Sequence, residues 1–155
     1  MKFIVKDILE VKSGIICQQV NCQSAMNSGL AKGIRNKWPI VFKKYKDFIA
    51  NFLYQDKYNR VSTKDLLGEI DLIEVEPNLY VCNLFGQEFY GYDGKRYTSY
   101  GAWEKALPEL KIEAEKLNLP VYFPHGVGCV RGGANFEIIS SMIEEYFPEA
   151  TFCKI

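Results

Sequence analysis

Hydrophobic and polar residues follow two different spacings along the chain, and each spacing predicts one kind of element. Short apolar runs of about four to eight residues are typical of strands, whereas apolar residues that recur every three or four positions are typical of helices. The short runs predict six strands, over residues 2–6, 14–21, 69–76, 79–85, 120–124 and 151–155. The Pro77-Asn78 turn between two of these strands predicts a hairpin.

The helical spacing appears first over residues 30–52, where Pro39 predicts either two helices or one kinked helix. A second stretch begins near Ser99, a residue type that favours the N-cap, and continues to about residue 117. Pro108 lies inside this second stretch and is expected to bend the helix.

A last helix is predicted from about Asn135 to Phe147. Its expected core face consists of Ile138, Ile139, Met142, Ile143 and Tyr146. A polar stretch over residues 55–64 predicts an exposed loop.

Strands that alternate with helices along the chain predict an α/β domain. The 155 residues suit one domain with a sizeable core, and the sequence contains neither an internal repeat nor a low-complexity linker. We therefore expect a single domain over residues 1–155, and we expect it to be a monomer.

The charge balance restricts the kind of ligand. The chain has 19 Lys and Arg residues against 19 Asp and Glu residues, so bulk positive charge cannot attract a long polyanion, and no bulk nucleic-acid binding is expected. If the ligand is an anion, backbone dipoles must hold it instead.

The five cysteines form no CxxC pair, and the single His125 cannot complete a zinc ligand set, so no metal and no cofactor are expected. We see no secretion leader and no apolar run approaching the ~18 residues of a membrane span. Free thiols and these two observations lead us to expect a cytoplasmic protein without membrane contact.

Two glycine-containing loops are candidates for an anion site. The window from Gly126 to Gly133 contains four glycines and lies between a predicted strand and a predicted helix. Glycines allow backbone N–H groups to approach an anion, and a helix N-terminus adds partial positive charge. Residues 21–33 form a second strand–loop–helix unit, with Ser28-Gly29 at the helix start. Together the two loops could hold the two phosphates of a dinucleotide-like ligand from both sides.

These loops carry a resemblance to a known family. Val20-Asn21-Cys22-Gln23 with Met26-Asn27-Ser28-Gly29-Leu30-Ala31 resembles the first ligand loop of macrodomains. Residues 124–136, PHGVGCVRGGANF, resemble their second, phosphate-facing loop. The branch most similar to this chain processes ADP-ribose 1''-phosphate and includes de-ADP-ribosylating relatives. The resemblance implies a three-layer α/β/α macrodomain with a central mixed sheet of about six strands.

The resemblance also implies a ligand site and an activity. The implied ADP-ribose contacts are Asp7 and Ile8 at the adenine, Asn21, Ser28, Gly29, Leu30 and Ala31 in the first loop, Gly126, Val127, Gly128, Cys129, Val130 and Arg131 in the second, and Phe136 beside the distal ribose. The implied activity is metal-independent hydrolysis of ADP-ribose 1''-phosphate to ADP-ribose and phosphate, with catalytic residues Asn21, His125 and Asn135. Two alternatives are an ADP-ribosyl hydrolase acting on modified protein or nucleic acid, and a non-catalytic ADP-ribose reader.

The chain departs from the family pattern at two positions. Asn135 stands where relatives often have Asp, and an amide cannot act as a general base. Gln87 stands where sugar-opening relatives have Lys, and Lys95 is the nearest loop lysine, which argues against a Schiff-base route. Hydrolysis assisted by positioning and by backbone amides remains compatible with both substitutions.

The sequence alone allows two interpretations of several side chains. His125 is either a chance polar residue at a strand exit or an acid for a phosphate leaving group. Asn21 either satisfies local backbone groups or contacts a ribose, and Asn135 is an ordinary N-cap that could also face the ligand. The tyrosines of residues 89–100 form either a packed loop or a lid or stacking surface. Lys95 and Arg96 in that loop could reach a terminal phosphate.

Overall fold

Six strands form one mixed sheet in the computed structural model, which describes residues 1–54 and 61–155. The strands are β1 (Lys2–Val5), β2 (Gly14–Val20), β3 (Ile70–Glu76), β4 (Leu79–Phe85), β5 (Val121–Pro124) and β6 (Thr151–Lys154). They lie in the order β1-β6-β5-β2-β4-β3. Only β3 is antiparallel to its neighbour, whereas the other adjacent pairs are parallel. The predicted α/β class and the six-stranded mixed sheet are confirmed.

Within the described residues, four α-helices cover the two faces of this sheet. They are α1 (Gly29–Lys37), α2 (Pro39–Tyr54), α3 (Tyr100–Leu117) and α4 (Phe136–Tyr146), and short 3-10 helices cover Ile8–Glu10 and Thr63–Leu66. Helices α1 and α2 bury their apolar residues in one core cluster, together with one face of the sheet. Helices α3 and α4 bury theirs in a second cluster on the opposite face. The fold is therefore a three-layer α/β/α sandwich.

The helix boundaries follow local signals in the sequence. Helix α1 ends at Lys37 and α2 begins at Pro39, because proline is tolerated in the first turn of a helix but not in its interior. Ser99 is the N-cap of α3, and its side chain accepts a hydrogen bond of 3.1 Å from the Ala102 amide. Helix α3 continues through Pro108 as one helix.

Two sequence expectations differ from the structure. Ile138 was predicted to face the core, but 42% of it is exposed, because the buried stripe of α4 passes through Ile139 and Ile143 instead. The stretch 55–64 was predicted as an exposed loop, and its residues 55–60 lie outside the described residues. Its last residues enter the 3-10 helix at Thr63–Leu66, which begins with a capping box between Ser62 and Asp65.

The sheet brings three loops to one edge. Strands β2, β4 and β5 are parallel and adjacent, so their carboxyl ends, at Val20, Phe85 and Pro124, lie side by side. The loops that follow, over residues 21–28, 86–99 and 125–135, therefore converge, which is where α/β sheets bind ligands. Among the helices of the described ranges, none is long and apolar enough to cross a bilayer.

Candidate functional site

A cavity of about 340 Å³ lies where the three loops converge. Most of the sequence-predicted ligand residues line it: Asn21, the segment from Ser28 to Ala31, and the segment from His125 to Arg131. The structure thus brings together two predicted ligand loops that are about a hundred positions apart in the sequence. Gln19, Gln87, Tyr90 and Tyr92 are also among the lining residues.

The glycine-rich loop presents backbone amides that have no protein partner. Among the described residues, nothing accepts a hydrogen bond from the amides of Gly126, Gly128, Val130, Arg131 and Gly132. Gly126 and Gly128 have φ angles of 78° and 75°, which a side chain would disfavour. Unpaired N–H groups in such a loop form a concave donor surface for an anion.

The first turn of α1 supplies a second set of donors. Its N-cap residue, Ser28, makes no side-chain capping bond, whereas the N-caps of α3 and α4, Ser99 and Asn135, both do. The first N–H groups of a helix have no partner within the helix and carry partial positive charge. The uncapped helix is the one whose first residues line the cavity. The arrangement can therefore hold a second anionic group.

The predicted catalytic residue Asn21 lies in the cavity wall and holds its own loop together. Its Oδ1 accepts hydrogen bonds from the Gln23 amide at 2.9 Å and from the Tyr45 hydroxyl at 2.8 Å. Its Nδ2 donates to the Ala25 carbonyl oxygen at 3.0 Å. Burial raises the pKa of Tyr45, so its hydroxyl remains a donor. One amide hydrogen of Asn21 is left for a ligand.

His125 lies at the cavity wall with its ring exposed to solvent. The ring packs between Phe3 and Phe136, with centroid distances of 5.9 and 4.8 Å. Its backbone amide donates to the Cys153 carbonyl oxygen at 2.8 Å, which fixes the strand exit. The imidazole is therefore positioned by packing, and its side-chain nitrogens are available to a ligand or to water.

Four predicted site residues do not line this cavity. Asn135 uses its Oδ1 to accept a bond of 2.8 Å from the Glu137 amide, as an ordinary N-cap does. Phe136 is partly buried and packs its ring edge-to-face on the core residue Phe152, at a centroid distance of 5.5 Å. Asp7 caps the first 3-10 helix by accepting from the Leu9 amide, and Ile8 is buried in the core on the α1 side.

The thiols near the loops are held protonated. Burial, together with a smaller effect of nearby Glu88, raises the pKa of Cys22 to about 12. The Cys22 thiol donates to the Gln87 carbonyl oxygen at 3.3 Å. Burial also raises the pKa of Cys129, whose thiol donates to the Val127 carbonyl oxygen. A protonated thiol is a poor nucleophile, so neither cysteine is prepared for covalent catalysis.

A hydrogen-bonded cluster around Gln19 is part of the site that the sequence did not single out. Gln19 Nε2 donates to Gln87 Oε1 at 2.6 Å and to Thr98 Oγ1 at 2.9 Å, and Gln19 Oε1 accepts from Trp103 Nε1 at 2.7 Å. The only sequence signal was the change from apolar to polar residues at the end of β2. That pattern does not predict which residues, 68 to 84 positions away in the sequence, form hydrogen bonds with Gln19.

Aromatic and cationic side chains form the cavity rim. Tyr92 is 65% exposed, and the Arg131 guanidinium lies over its ring at 4.4 Å. This contact joins the tyrosine-rich loop to the glycine-rich loop. Lys95 does not line the cavity and lies 3.8 Å from Asp93 in an exposed ion pair.

The described lining contains no Asp or Glu, so the cavity offers backbone and side-chain donors without a carboxylate base. Across residues 1–54 and 61–155, no group of three or more His, Cys, Asp or Glu side chains could hold a metal ion. The unpaired loop amides, with the Arg131 guanidinium at the rim, therefore suit the site to negative charge.

Comparison with family models gives no match, and neither does comparison with curated proteins. Solved structures do match. A protein of unknown function from Bacteroides thetaiotaomicron superposes with a TM-score of 0.82 at 21% identity, over 99% of this chain and 97% of that one. A macrodomain protein from Streptomyces coelicolor gives a TM-score of 0.77 at 19% identity, over 99% and 97%. DarTG from Thermosipho africanus, in complex with ADP-ribose, gives 0.73 at 15% identity, over 99% of this chain and 41% of that one.

These likenesses extend over nearly the whole chain and include proteins called macrodomains. The strand order, the two helical layers and the loops at one sheet edge together define the class: the chain has the macrodomain fold. At identities of 21%, 19% and 15%, these likenesses establish the fold alone.

Proposed function

We propose that the cavity binds ADP-ribose, with the diphosphate held between the glycine-rich loop and the N-terminus of α1. The observation that supports this most directly is that two donor surfaces line the same cavity. One consists of the unpaired amides of Gly126, Gly128, Val130, Arg131 and Gly132, and the other is the uncapped first turn after Ser28. Two adjacent phosphates match two such surfaces, and neutral donors suffice in a chain without excess positive charge.

Two further observations support this ligand. The cavity, at about 340 Å³, lies within the range typical of small-molecule sites. A protein of similar fold, the DarTG of Thermosipho africanus, was solved in complex with ADP-ribose. Both favour a small, enclosed ligand over a long polyanion.

We further propose that the bound substrate is ADP-ribose 1''-phosphate and that it is hydrolysed without a metal. In this reaction a water oxygen attacks the terminal phosphorus and forms a new P–O bond. The bond from phosphorus to the 1''-oxygen breaks, and the leaving oxygen takes a proton from the protein. The proton that the attacking water loses returns through solvent to the proton donor, so the products are ADP-ribose and inorganic phosphate. His125, which lines the cavity, would supply that proton, and unpaired loop amides would stabilise the charge on the phosphoryl oxygens.

Asn21 and Asn135 have different roles in this proposal. Asn21 keeps one amide hydrogen for a ribose or phosphate oxygen, so it would orient the substrate. Asn135 acts as the N-cap of α4 and lies outside the cavity lining, so we assign it no contact with the substrate. With Gln87 in place of a lysine, an amine-dependent opening of the sugar is not part of the mechanism.

The test is to incubate the protein with ADP-ribose 1''-phosphate, to follow phosphate release, and to measure ADP-ribose binding by calorimetry. We expect turnover in the wild type, and we expect His125→Asn to lose turnover while keeping most of its affinity for ADP-ribose. Binding without turnover would contradict the phosphatase and leave a non-catalytic reader. Release of ADP-ribose from modified protein or nucleic acid, without phosphate release from the small substrate, would favour an ADP-ribosyl hydrolase. Absence of ADP-ribose binding would overturn the whole proposal.

A further inference from the structure

We infer that Thr98, oriented by its hydrogen bond from Gln19, is a positioning residue that holds the glycine-rich loop in its anion-binding shape. This inference rests on the proposed ADP-ribose site and identifies what orders it. Thr98 is 2% exposed and does not line the cavity, so it cannot act by touching the ligand. Its effect has to pass through the loop.

The direction of the hydrogen bonds in this cluster is fixed by Trp103. An indole N–H can only donate, so the Gln19 atom 2.7 Å from Trp103 Nε1 must be the carbonyl oxygen. The other end of the Gln19 amide is therefore the NH₂ group, which donates to Thr98 Oγ1. The Thr98 hydroxyl then has its hydrogen free to donate to the Gly128 carbonyl oxygen, at 2.8 Å.

The same segment holds the loop at a second point. The backbone amides of Tyr97 and Thr98 both donate to the Gly132 carbonyl oxygen, at 2.8 and 2.9 Å. The loop is thus attached at Gly128 and at Gly132, and the unpaired amides of Val130 and Arg131 lie between the two attachments. Fixing two carbonyl groups restrains the planar peptide units between them.

The loop has glycine where its backbone passes close to the Gln19–Thr98 cluster. A side chain at Gly132 would collide with Thr98 Oγ1, and a Cβ at Gly128 would lie 3.1 Å from Gln19 Oε1. The close approach brings loop carbonyls within hydrogen-bonding distance of Thr98. The cluster therefore excludes a side chain at Gly132 and leaves little room for one at Gly128.

Substitutions at Thr98 test this role, because they can remove the hydroxyl without changing the cavity wall. Thr98→Val keeps the shape and removes both hydrogen bonds of Oγ1. Thr98→Ser keeps the hydroxyl and is the matched control. We expect Thr98→Val to weaken ADP-ribose binding about tenfold or more by calorimetry, in line with the loss of a buried hydrogen-bonded group. We expect Thr98→Ser to remain within about threefold of wild type.

Comparing adenosine, ADP and ADP-ribose separates a loss of loop positioning from general damage to the protein. Adenosine has no phosphate, so its affinity should change less than about twofold in Thr98→Val, whereas ADP should weaken as ADP-ribose does. Equal losses for adenosine and ADP-ribose, or full ADP-ribose affinity in Thr98→Val, would overturn the inference. If Thr98→Val does not fold, Thr98→Cys replaces it, because the thiol is a weak donor and should give an intermediate loss relative to Ser. Failure of wild-type protein to bind ADP-ribose would instead contradict the proposed function.

Discussion

The uncapped N-terminus of α1 leads to a prediction in which stability and affinity change in opposite directions. Among the described residues, Ser28 makes no side-chain capping bond, and nothing accepts a hydrogen bond from the amides of Gly29, Leu30 and Ala31. In Ser28→Asp the new carboxylate can accept from these amides. A good N-cap contributes about 1 kcal/mol to stability, and a negative charge at a helix N-terminus adds a few tenths more. For a chain of this length the melting temperature should rise by roughly 2–4 °C.

The same carboxylate should compete with the phosphate for the donors. Two unit negative charges about 6 Å apart, at an effective dielectric constant of about 20 to 40, repel by about 1–3 kcal/mol. We therefore expect Ser28→Asp to weaken ADP-ribose binding by about ten- to a hundredfold in calorimetry. The thermal shift caused by saturating ADP-ribose should shrink in parallel.

Two alanine variants provide the controls. Ser28→Ala should leave stability nearly unchanged, because no capping bond is lost. Ser99→Ala should lower the free energy of unfolding by about 1 kcal/mol, because Ser99 does accept from the Ala102 amide. A loss in Ser28→Ala as large as that in Ser99→Ala would show that α1 is capped after all. Unchanged ADP-ribose affinity in Ser28→Asp would show that no phosphate lies at this helix.

Three other variants test separate features of the molecule. Gly126→Ala and Gly94→Ala share similar φ angles, 78° and 79°, and open space at Cβ. Both should cost about 1–2 kcal/mol of stability by chemical denaturation, but only Gly126→Ala should weaken ADP-ribose binding, because Gly94 does not line the cavity. Burial raises the pKa of the Asp71 carboxyl to about 6. The contribution of this group to the free energy of unfolding is therefore fully present below about pH 4, where the carboxyl is protonated, and is lost as the pH rises through about 6. Asp71→Asn should therefore raise the free energy of unfolding by about 1 kcal/mol at pH 7, allowing for the partial exposure of the side chain, and should leave it unchanged near pH 4. An equal increase at both pH values would contradict this origin.

The sequence by itself determined the local elements of this protein. Pro39 separates two helices and Ser99 starts α3, because proline geometry and side-chain capping act within a few residues. The glycines from Gly126 onward indicated an anion loop for the same reason, since positive φ is a property of single residues. Among the residues predicted to form the core face of α4, only Ile138 is exposed, and it lies beside the buried stripe of the helix.

The tertiary structure decided which of these local features meet. Gln19, Thr98 and Trp103 form one hydrogen-bonded cluster because β2, the loop after β4 and α3 converge at one sheet edge. No spacing in the sequence encodes that meeting, since it depends on the order in which distant strands pair. The same pairing left Asn135 as a helix cap outside the cavity. A residue's chemistry can be read from the chain, but its neighbours are set by non-local packing.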